Sequence, residues 1–391
     1  MNLFVPQPLN PIRGKLVKKK ESSTIDLQKI YTFGYDGTCF IFEKITWNAG
    51  ASPSGKAAVF GTAMRRFESF RPKPLELRKE MTDKSFMLFA GSSHKDLAKK
   101  VAERLRIQLG QISIETFPDG EIGVQILENV RGKDVFVLQS PARHPNRYLM
   151  ELLIIADALK RASVRSVVAV IPYYAYARQD RKDKGRVPIT AKLVADLLEK
   201  AGVSRVLTMD LHTEQIQGFF NVPVDNLYAR PLFVRTLKGL GLKDLVVVSP
   251  DVGSNKMARQ FAEDLKVDLA IVDKRRINSQ VVQANALIGE VKGKNVLLVD
   301  DICSTGGTLK IAAQVCRAEG AKSVHAVISH ALLMGDFLEN SGIDKMYVSD
   351  SVPLPPFMGE TKVQAVSVAD LFGQAIERIV SAESISSLFK S

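Results

Sequence analysis

Val296-Leu-Leu-Val-Asp-Asp-Ile-Cys-Ser-Thr-Gly-Gly-Thr308 is the stretch on which the reading of the fold turns. Four consecutive branched apolar residues read as a strand buried on both faces, as in a parallel sheet, and the small-residue loop after them opens into a helical pattern over Thr308–Glu319. Gly306 and Gly307 let the backbone come close to an anion. The hydroxyls of Ser304, Thr305 and Thr308 join the N–H groups that a helix start turns outward, so the loop reads as a phosphate cradle. Asp300 and Asp301, at the end of the strand, are positioned to accept hydrogen bonds from sugar hydroxyls.

The same alternation of short apolar run and amphipathic segment continues on both sides. Strands are expected at Phe86–Ala90, Val135–Leu138, Val167–Ile171, Val206–Met209, Leu245–Val248, Leu269–Val272 and Val324–Ile328. Helices are expected at Lys95–Ile107, Leu149–Arg161, Ile189–Ala201, Asn255–Leu265 and Leu371–Val380. A weak repeat runs through the series. VFVLQSP (135–141) resembles LVVVSP (245–250), while RVLTMDLHTEQ and NVLLVDDICSTGG each end a strand in Asp and turn into a polar loop. These features predict an α/β protein of two similar tandem domains, residues 83–230 and 231–391, each a mostly parallel sheet flanked by helices. Ligands are expected beyond the carboxyl ends of the strands.

Residues 1–82 lack a sustained period of 2 or 3.6 and read as an extension outside this fold. A targeting peptide, a disordered regulatory arm and an upstream stretch before a start at Met81 all compete as explanations, the last two fitting best. The extension also explains the charge. Of the net +12, residues 1–80 hold 14 Lys/Arg against 7 Asp/Glu, so over half of the basic excess lies there. The remainder suits phosphorylated small molecules as well as nucleic acid, and charge alone decides nothing, nucleic acid being a remote third reading that rests on the extension alone. No apolar run is long enough to cross a bilayer. Cys39, Cys303 and Cys316 have no metal or disulfide spacing, which fits a reducing, cytoplasmic setting.

At the 296–308 segment the chain resembles the motif shared by type I phosphoribosyltransferases and ribose-phosphate pyrophosphokinases. TFPDGEIGVQILENVRGKDVF (116–136), IPYYAYARQDRK (171–182), RVPITAK (186–192), TMDLHTEQIQGFF (208–220) and VVVSPDVGSNK (246–256) each resemble segments of the class I pyrophosphokinases, in the family's order. The resemblance covers roughly residues 84–391 and implies two type I phosphoribosyltransferase-like domains, with ATP on the first and ribose 5-phosphate on the second. It implies transfer of the pyrophosphoryl group of MgATP to the 1-hydroxyl of ribose 5-phosphate, giving phosphoribosyl pyrophosphate and AMP. A non-catalytic regulatory subunit and a phosphoribosyltransferase are the alternatives.

Carried over residue by residue, the resemblance assigns Phe117, Asp119, Gly120 and Glu121 to the adenine end of ATP, and Arg178 and Gln179 to ATP as its binding pair, the guanidinium suiting phosphate. His212 and Asp251 match Mg²⁺-associated positions. Histidine is an unusual magnesium ligand, so direct ligation, a bridging water and contact with the triphosphate all stay open for His212. Lys274 and Arg276 match the catalytic pair, Arg276 also facing the sugar phosphate, and fixed cations suit the charge that gathers on the transferring group. Asp300, Asp301, Ser304, Thr305, Gly306, Gly307 and Thr308 match the ribose 5-phosphate site. Ser304 departs from the Asp usual there, which bears on sugar affinity. The resemblance further implies a homo-oligomer, typically a hexamer, in which the Phe117–Glu121 segment completes a neighbour's ATP site. Inorganic phosphate is implied as activator, with Glu128–Arg131 and Lys133 resembling part of that region. Segments 182–186 and 274–280 are polar and expected to order on substrate. His94, His144, His325 and His330 receive no role.

Overall fold

The computed structural model describes residues 24–27, 30–33, 39–42, 45–48, 86–275, 284–334, 340–354 and 362–389. The chain divides into two units, Met1–Leu77 and Arg78–Ser391. In the first, β1 (Thr24–Leu27) pairs antiparallel with β4 (Ile45–Asn48), and β2 (Ile30–Phe33) with β3 (Cys39–Phe42). Four-residue strands are too short to give the sustained alternation by which strands are read from sequence, so this pairing was not foreseen.

The second unit holds two large sheets and a two-stranded hairpin. The first consists of β5 (Phe86–Ala90), β8 (Asp134–Leu138), β9 (Ser166–Ile171), β10 (Arg205–Met209) and β11 (Val224–Leu227), all parallel and in chain order from one edge to the other. Their middles are buried on both faces, which is why they read as continuous apolar runs. Helices α1 (Lys95–Leu105), α2 (Pro145–Arg161) and α3 (Thr190–Ala201) connect them. Outside this sheet, β6 (Ile112–Thr116) and β7 (Ile122–Ile126) form an antiparallel hairpin missed by the sequence reading. Its half-exposed strands alternate too weakly to stand out.

Helix α4 (Arg230–Gly239) leads into the second sheet. Its strands are β12 (Leu245–Ser249), β13 (Asp268–Arg275), β14 (Ala284–Ile288), β15 (Asn295–Cys303), β16 (Ser323–Ala331), β17 (Lys345–Ser349) and β18 (Val363–Val366), in the order β14-β13-β12-β15-β16-β17-β18. All neighbours are parallel except β13 and β14. From β12 the chain moves outward through α5 (Asn255–Leu265) to β13, then returns to place β15 on the other side of β12. That reversal opens a crevice between the loops after β12 and β15, the place where such sheets hold ligands.

Helices α6 (Gly307–Ala318) and α7 (Ala369–Val380) complete the second half. The two sheets share a core. Leu88, Leu207 and Met209 of the first belong to one apolar cluster with Val247, Leu297 and Val299 of the second, and Phe372 and Ile376 of α7 pack in it beside Leu97 and Val101 of α1. At its rim Arg104 donates to Asp370 at 2.5 Å and to Glu377 at 3.1 Å. Among the described residues no helix is long and apolar enough to cross a membrane.

Candidate active site

The pairing of β15 shapes the site. Its register with β12 ends at Leu298, but its register with β16 runs on to Cys303 opposite Ala331, so the strand passes through both acids before it ends. The sequence reading ended the strand at the acids; the extra length comes from the continued ladder with β16. The segment after β16 closes it, with Leu332 and Leu333 donating to the Cys303 carbonyl and Met334 to that of Ser304.

Successive strand residues point to opposite faces, and the two acids take different partners. Asp300 is buried and its Oδ1 accepts the Ser254 hydroxyl at 2.6 Å. Ser254, just before α5, also donates its N–H to Asp251 Oδ1 at 3.1 Å, which ties the loop after β12 to β15. Asp301 faces the first half, where its Oδ2 lies 2.7 Å from His212 Nδ1. Burial, aided by the charge of Asp301, pushes Asp300 up to about 7. Burial acts on Asp301 as well, but the hydrogen bond and charge of His212 outweigh it and hold that carboxyl below the usual range. Conversely, the hydrogen bond to Asp301 raises His212 despite partial burial.

His212 is carried by the turn after β10. Asp210, with φ 41°, occupies the left-handed region uncommon for residues other than glycine, and redirects the chain toward the second sheet. Its buried Oδ2 accepts from the Ser329 hydroxyl at 2.5 Å and the Ala229 N–H at 3.3 Å, and burial raises it to about 6. His330, buried on β16, has Nε2 3.1 Å from the Met209 carbonyl and Nδ1 2.9 Å from the Ser351 hydroxyl. His94 places Nε2 2.7 Å from the Asp350 carbonyl. These two histidines, given no role from sequence, bind the halves together. Asp210 and Ser254 were missed for a related reason: their partners lie 119 and 46 residues away, and no local pattern announces them.

Around this core lies a cavity of about 480 Å³ lined by Arg178, Asp210, His212, Asp251, Asp300, Asp301 and Thr308, among others. A second lobe of about 500 Å³ shares Arg178, His212, Thr213 and Gly253 with it, and adds Gln179, Asp180 and Arg181. Thr213 donates to Asp180 at 2.8 Å, fixing the wall between them. At the cradle Gly306 takes φ 75° as it opens α6, and the helix start carries no side-chain cap. A Cβ added to Gly307 would meet only Thr305 Oγ1, at 4.0 Å, so the space before the first turn is open to an anion.

The expected residues divide into groups. Arg178, Gln179, His212, Asp251, Asp300, Asp301 and Thr308 are brought to the joined cavities. Phe117, Asp119, Gly120 and Glu121 form the turn of the β6–β7 hairpin, closed by the Phe117 N–H to the Glu121 carbonyl at 2.8 Å, and do not line them. Phe117 is 44% exposed, a large apolar surface turned to solvent. Lys274 lies in β13 with its backbone opposite Asn285; Arg276 and residues 276–280 lie outside the described residues. Among the described residues no three His, Cys, Asp or Glu side chains converge as a metal site.

Comparison with known proteins agrees with this arrangement. Residues 86–202 match the family model of the N-terminal domain of ribose phosphate pyrophosphokinase, and residues 228–348 that of the phosphoribosyl transferase domain. A ribose-phosphate pyrophosphokinase of Helicobacter hepaticus is 48% identical over 309 residues, 78% of this chain and 99% of the relative. One of Vibrio parahaemolyticus is 49% identical over 308 residues, 77% and 98% of the two chains. The crystal structure of phosphoribosylpyrophosphate synthetase from Mycobacterium smegmatis superposes with a TM-score of 0.73 at 40% identity, covering 76% of this chain and all of that one.

Proposed function

The chain belongs to the ribose-phosphate pyrophosphokinase family, and we propose the following division of labour for its site. The enzyme moves the pyrophosphoryl group of ATP to the 1-hydroxyl of ribose 5-phosphate, giving phosphoribosyl pyrophosphate and AMP and so supplying nucleotide synthesis. The observation that carries the assignment of roles is the joined cavity between the halves, with Arg178 and Gln179 on one side and Asp300, Asp301 and the open start of α6 on the other.

Ribose 5-phosphate lies with its phosphate over Ser304–Thr308, held by first-turn N–H groups and hydroxyls. Its ring hydroxyls donate to Asp301 and Asp300. Serine at position 304 offers a hydroxyl where the family pattern has a carboxylate. Arg178 and Gln179 hold ATP in the other lobe, the guanidinium facing phosphate through its forked donors. The 1-hydroxyl then attacks the β-phosphorus in line and releases its proton to solvent; the new O–P bond forms as the bond to the AMP oxygen breaks. Lys274 and Arg276 stabilise the charge on the transferring group.

The residues present fit Mg²⁺. This ion keeps several waters and takes one or two carboxylates with substrate phosphates rather than an all-protein cage, and Asp251 lines the cavity with only Oδ1 engaged by Ser254. Asp251 and His212 would hold it, His212 through Nε2 since Nδ1 faces Asp301. The ion would neutralise phosphate charge beside three carboxylates. The exposed Phe117–Glu121 turn serves the adenine of a neighbouring subunit in a homo-oligomer, a hexamer as in the family pattern, with inorganic phosphate as activator and the cytoplasm as setting. No nucleic-acid or membrane partner is assigned.

The decisive experiment is a coupled assay of AMP and phosphoribosyl pyrophosphate by pure protein, with and without inorganic phosphate. Equal amounts of both products, dependent on ribose 5-phosphate, are expected. ATP consumption independent of the sugar overturns the reading.

A further inference from the structure

Next to the joined cavities lies a third, of about 270 Å³, lined by Arg143, Tyr173, Tyr176, Arg178, Leu332 and Met334 among others. Its walls come from both halves: the loops after β8 and β9, and the segment after β16. The floor is an apolar cluster of Ala142, Tyr173, Ala175, Leu332 and Val352, with Tyr176 and Ile302 packed against it. Two aromatic rings and the aliphatic residues offer a surface for a flat or apolar body.

Arg143 is the anomaly. Its Nε and Nη2 atoms are buried and have no hydrogen-bond partner among the described residues. A guanidinium has five donors and no acceptor, and it remains charged; drying two of its nitrogens without an acceptor carries a standing electrostatic cost that a bound anion would remove. Burial holds Arg143 below its ordinary value, and among the described residues no carboxylate offsets it. Two wall residues are themselves held in an uncommon backbone conformation, Arg143 and Tyr176 with φ of 61° and 63°, as is Leu333, with φ 48°, between the lining residues Leu332 and Met334. Strain of this kind around an unpaired cation in a concave, partly apolar pocket is the pattern of a binding site rather than of a packing core.

We propose that this pocket is a second ligand site, which takes a phosphomonoester: Arg143 grips the oxyanion, and a flat body packs against Tyr173 and Tyr176. The volume lies just below the small end of ordinary ligand pockets, roughly 300–1,000 Å³, and suits a nucleoside monophosphate or free phosphate rather than a triphosphate. The site is distinct from the Glu128–Lys133 segment and from the sugar-phosphate cradle. Its lining reaches both halves and shares Arg178 with the joined cavities.

The test is equilibrium dialysis of labelled AMP against the full-length protein, with a non-hydrolysable ATP analogue and ribose 5-phosphate saturating the main cavity. One further AMP-binding site per chain is expected, weakened roughly 10-fold or more in Arg143→Gln, as for loss of a charge-assisted hydrogen bond. Arg143→Lys should recover only part of it, because the ammonium lacks the planar fork. If inorganic phosphate alone displaces AMP with the same dependence on Arg143, free phosphate is the occupant; if displacement needs the base, the nucleotide is. Ala175→Leu fills the pocket from another wall and should also abolish binding, which keeps the test sound if the Arg143 variants fold poorly. Binding of AMP and phosphate unchanged by both Arg143→Gln and Ala175→Leu, or no further site at all, overturns the proposal. Binding is read directly, so failure here is separate from failure of the pyrophosphokinase assay.

Discussion

Where the five-stranded sheet runs its strands in chain order from edge to edge, the seven-stranded sheet reverses between β12 and β15. The reversal parts two loops and leaves a crevice of its own, filled by Asp251, Ser254, Asp300 and the start of α6. The first sheet has no such gap. Its contribution leans across from loops instead: His212 on the turn forced by Asp210, and Arg178 beyond β9. Two sheets of the same architecture thus supply opposite chemistry, acids and an anion cradle from one, a cation and an imidazole from the other. In the proposed arrangement a substrate bound between them needs both, and its orientation depends on how firmly the halves are joined.

The largest expected effect comes from breaking that junction. Phe372 of α7 is fully buried in the cluster shared by both sheets, so Phe372→Ala should cost about 3–5 kcal/mol of stability, read from urea unfolding. A loss below about 1 kcal/mol would mean that the halves do not depend on this contact. Next is the chemistry itself. Lys274→Ala should lower kcat by about 10²–10³-fold with a smaller change in ATP affinity, because a cation that serves the transferring group contributes mainly in the transition state. Near-normal turnover at saturating substrate would remove Lys274 from that role.

The contrast between the halves also shows what was legible in sequence. The buried strands and the cradle were readable because each is local: four branched apolar residues in a row, or two glycines before a helix. The hairpin β6–β7 and the four-residue strand β18 were not, since half-buried or short strands give little alternation, and β17 was not because Lys345-Met-Tyr-Val-Ser349 offers an apolar run of only three residues. The same holds in the site. Asp251, Asp300 and Asp301 stand in contiguous motifs, whereas Asp210 gains its importance from Ser329 and Ala229, and His330 from Met209 and Ser351. Such roles arise only when the second sheet is laid against the first. The Phe117–Glu121 turn marks the remaining gap: its residues were assigned by resemblance alone, and a single chain does not carry them to the cavity.

A pH series sharpens the electrostatic side of the comparison. The folded-state value of Asp300 lies near 7, above its ordinary 3.8, so between those values the folded protein keeps a proton that the unfolded chain has released. Stability therefore falls as pH rises through that window. Asp210, raised to about 6, acts in the same direction up to that pH, and His212, raised by Asp301, loses its contribution as pH climbs through its own folded value. Asp300→Asn removes the largest of these. It should gain on the order of 2 kcal/mol relative to the parent at pH 8 and little at pH 4, as a flatter plot of Tm against pH. A parallel plot would mean that Asp300 is ionised in the fold, while loss of sugar affinity in the same variant would be separate evidence for its contact with ribose.

The smallest effect concerns Ser254, which spans the crevice by holding Asp251 and Asp300 at once. Ser254→Ala removes the 2.6 Å hydrogen bond to Asp300 but leaves the backbone N–H on Asp251, so the loop after β12 should stay in place while Asp300 loses one partner. The expected loss of stability is about 1–2 kcal/mol. The kinetic signature discriminates more sharply. In the proposed arrangement Asp300 serves the sugar and not the nucleotide, so KM for ribose 5-phosphate should rise several-fold, by roughly the same free energy, with KM for ATP little changed. Equal changes in both would show that Ser254 positions the two lobes together rather than the sugar side alone. That outcome would move the joint between the two chemistries from the His212–Asp301 pair to the loop after β12.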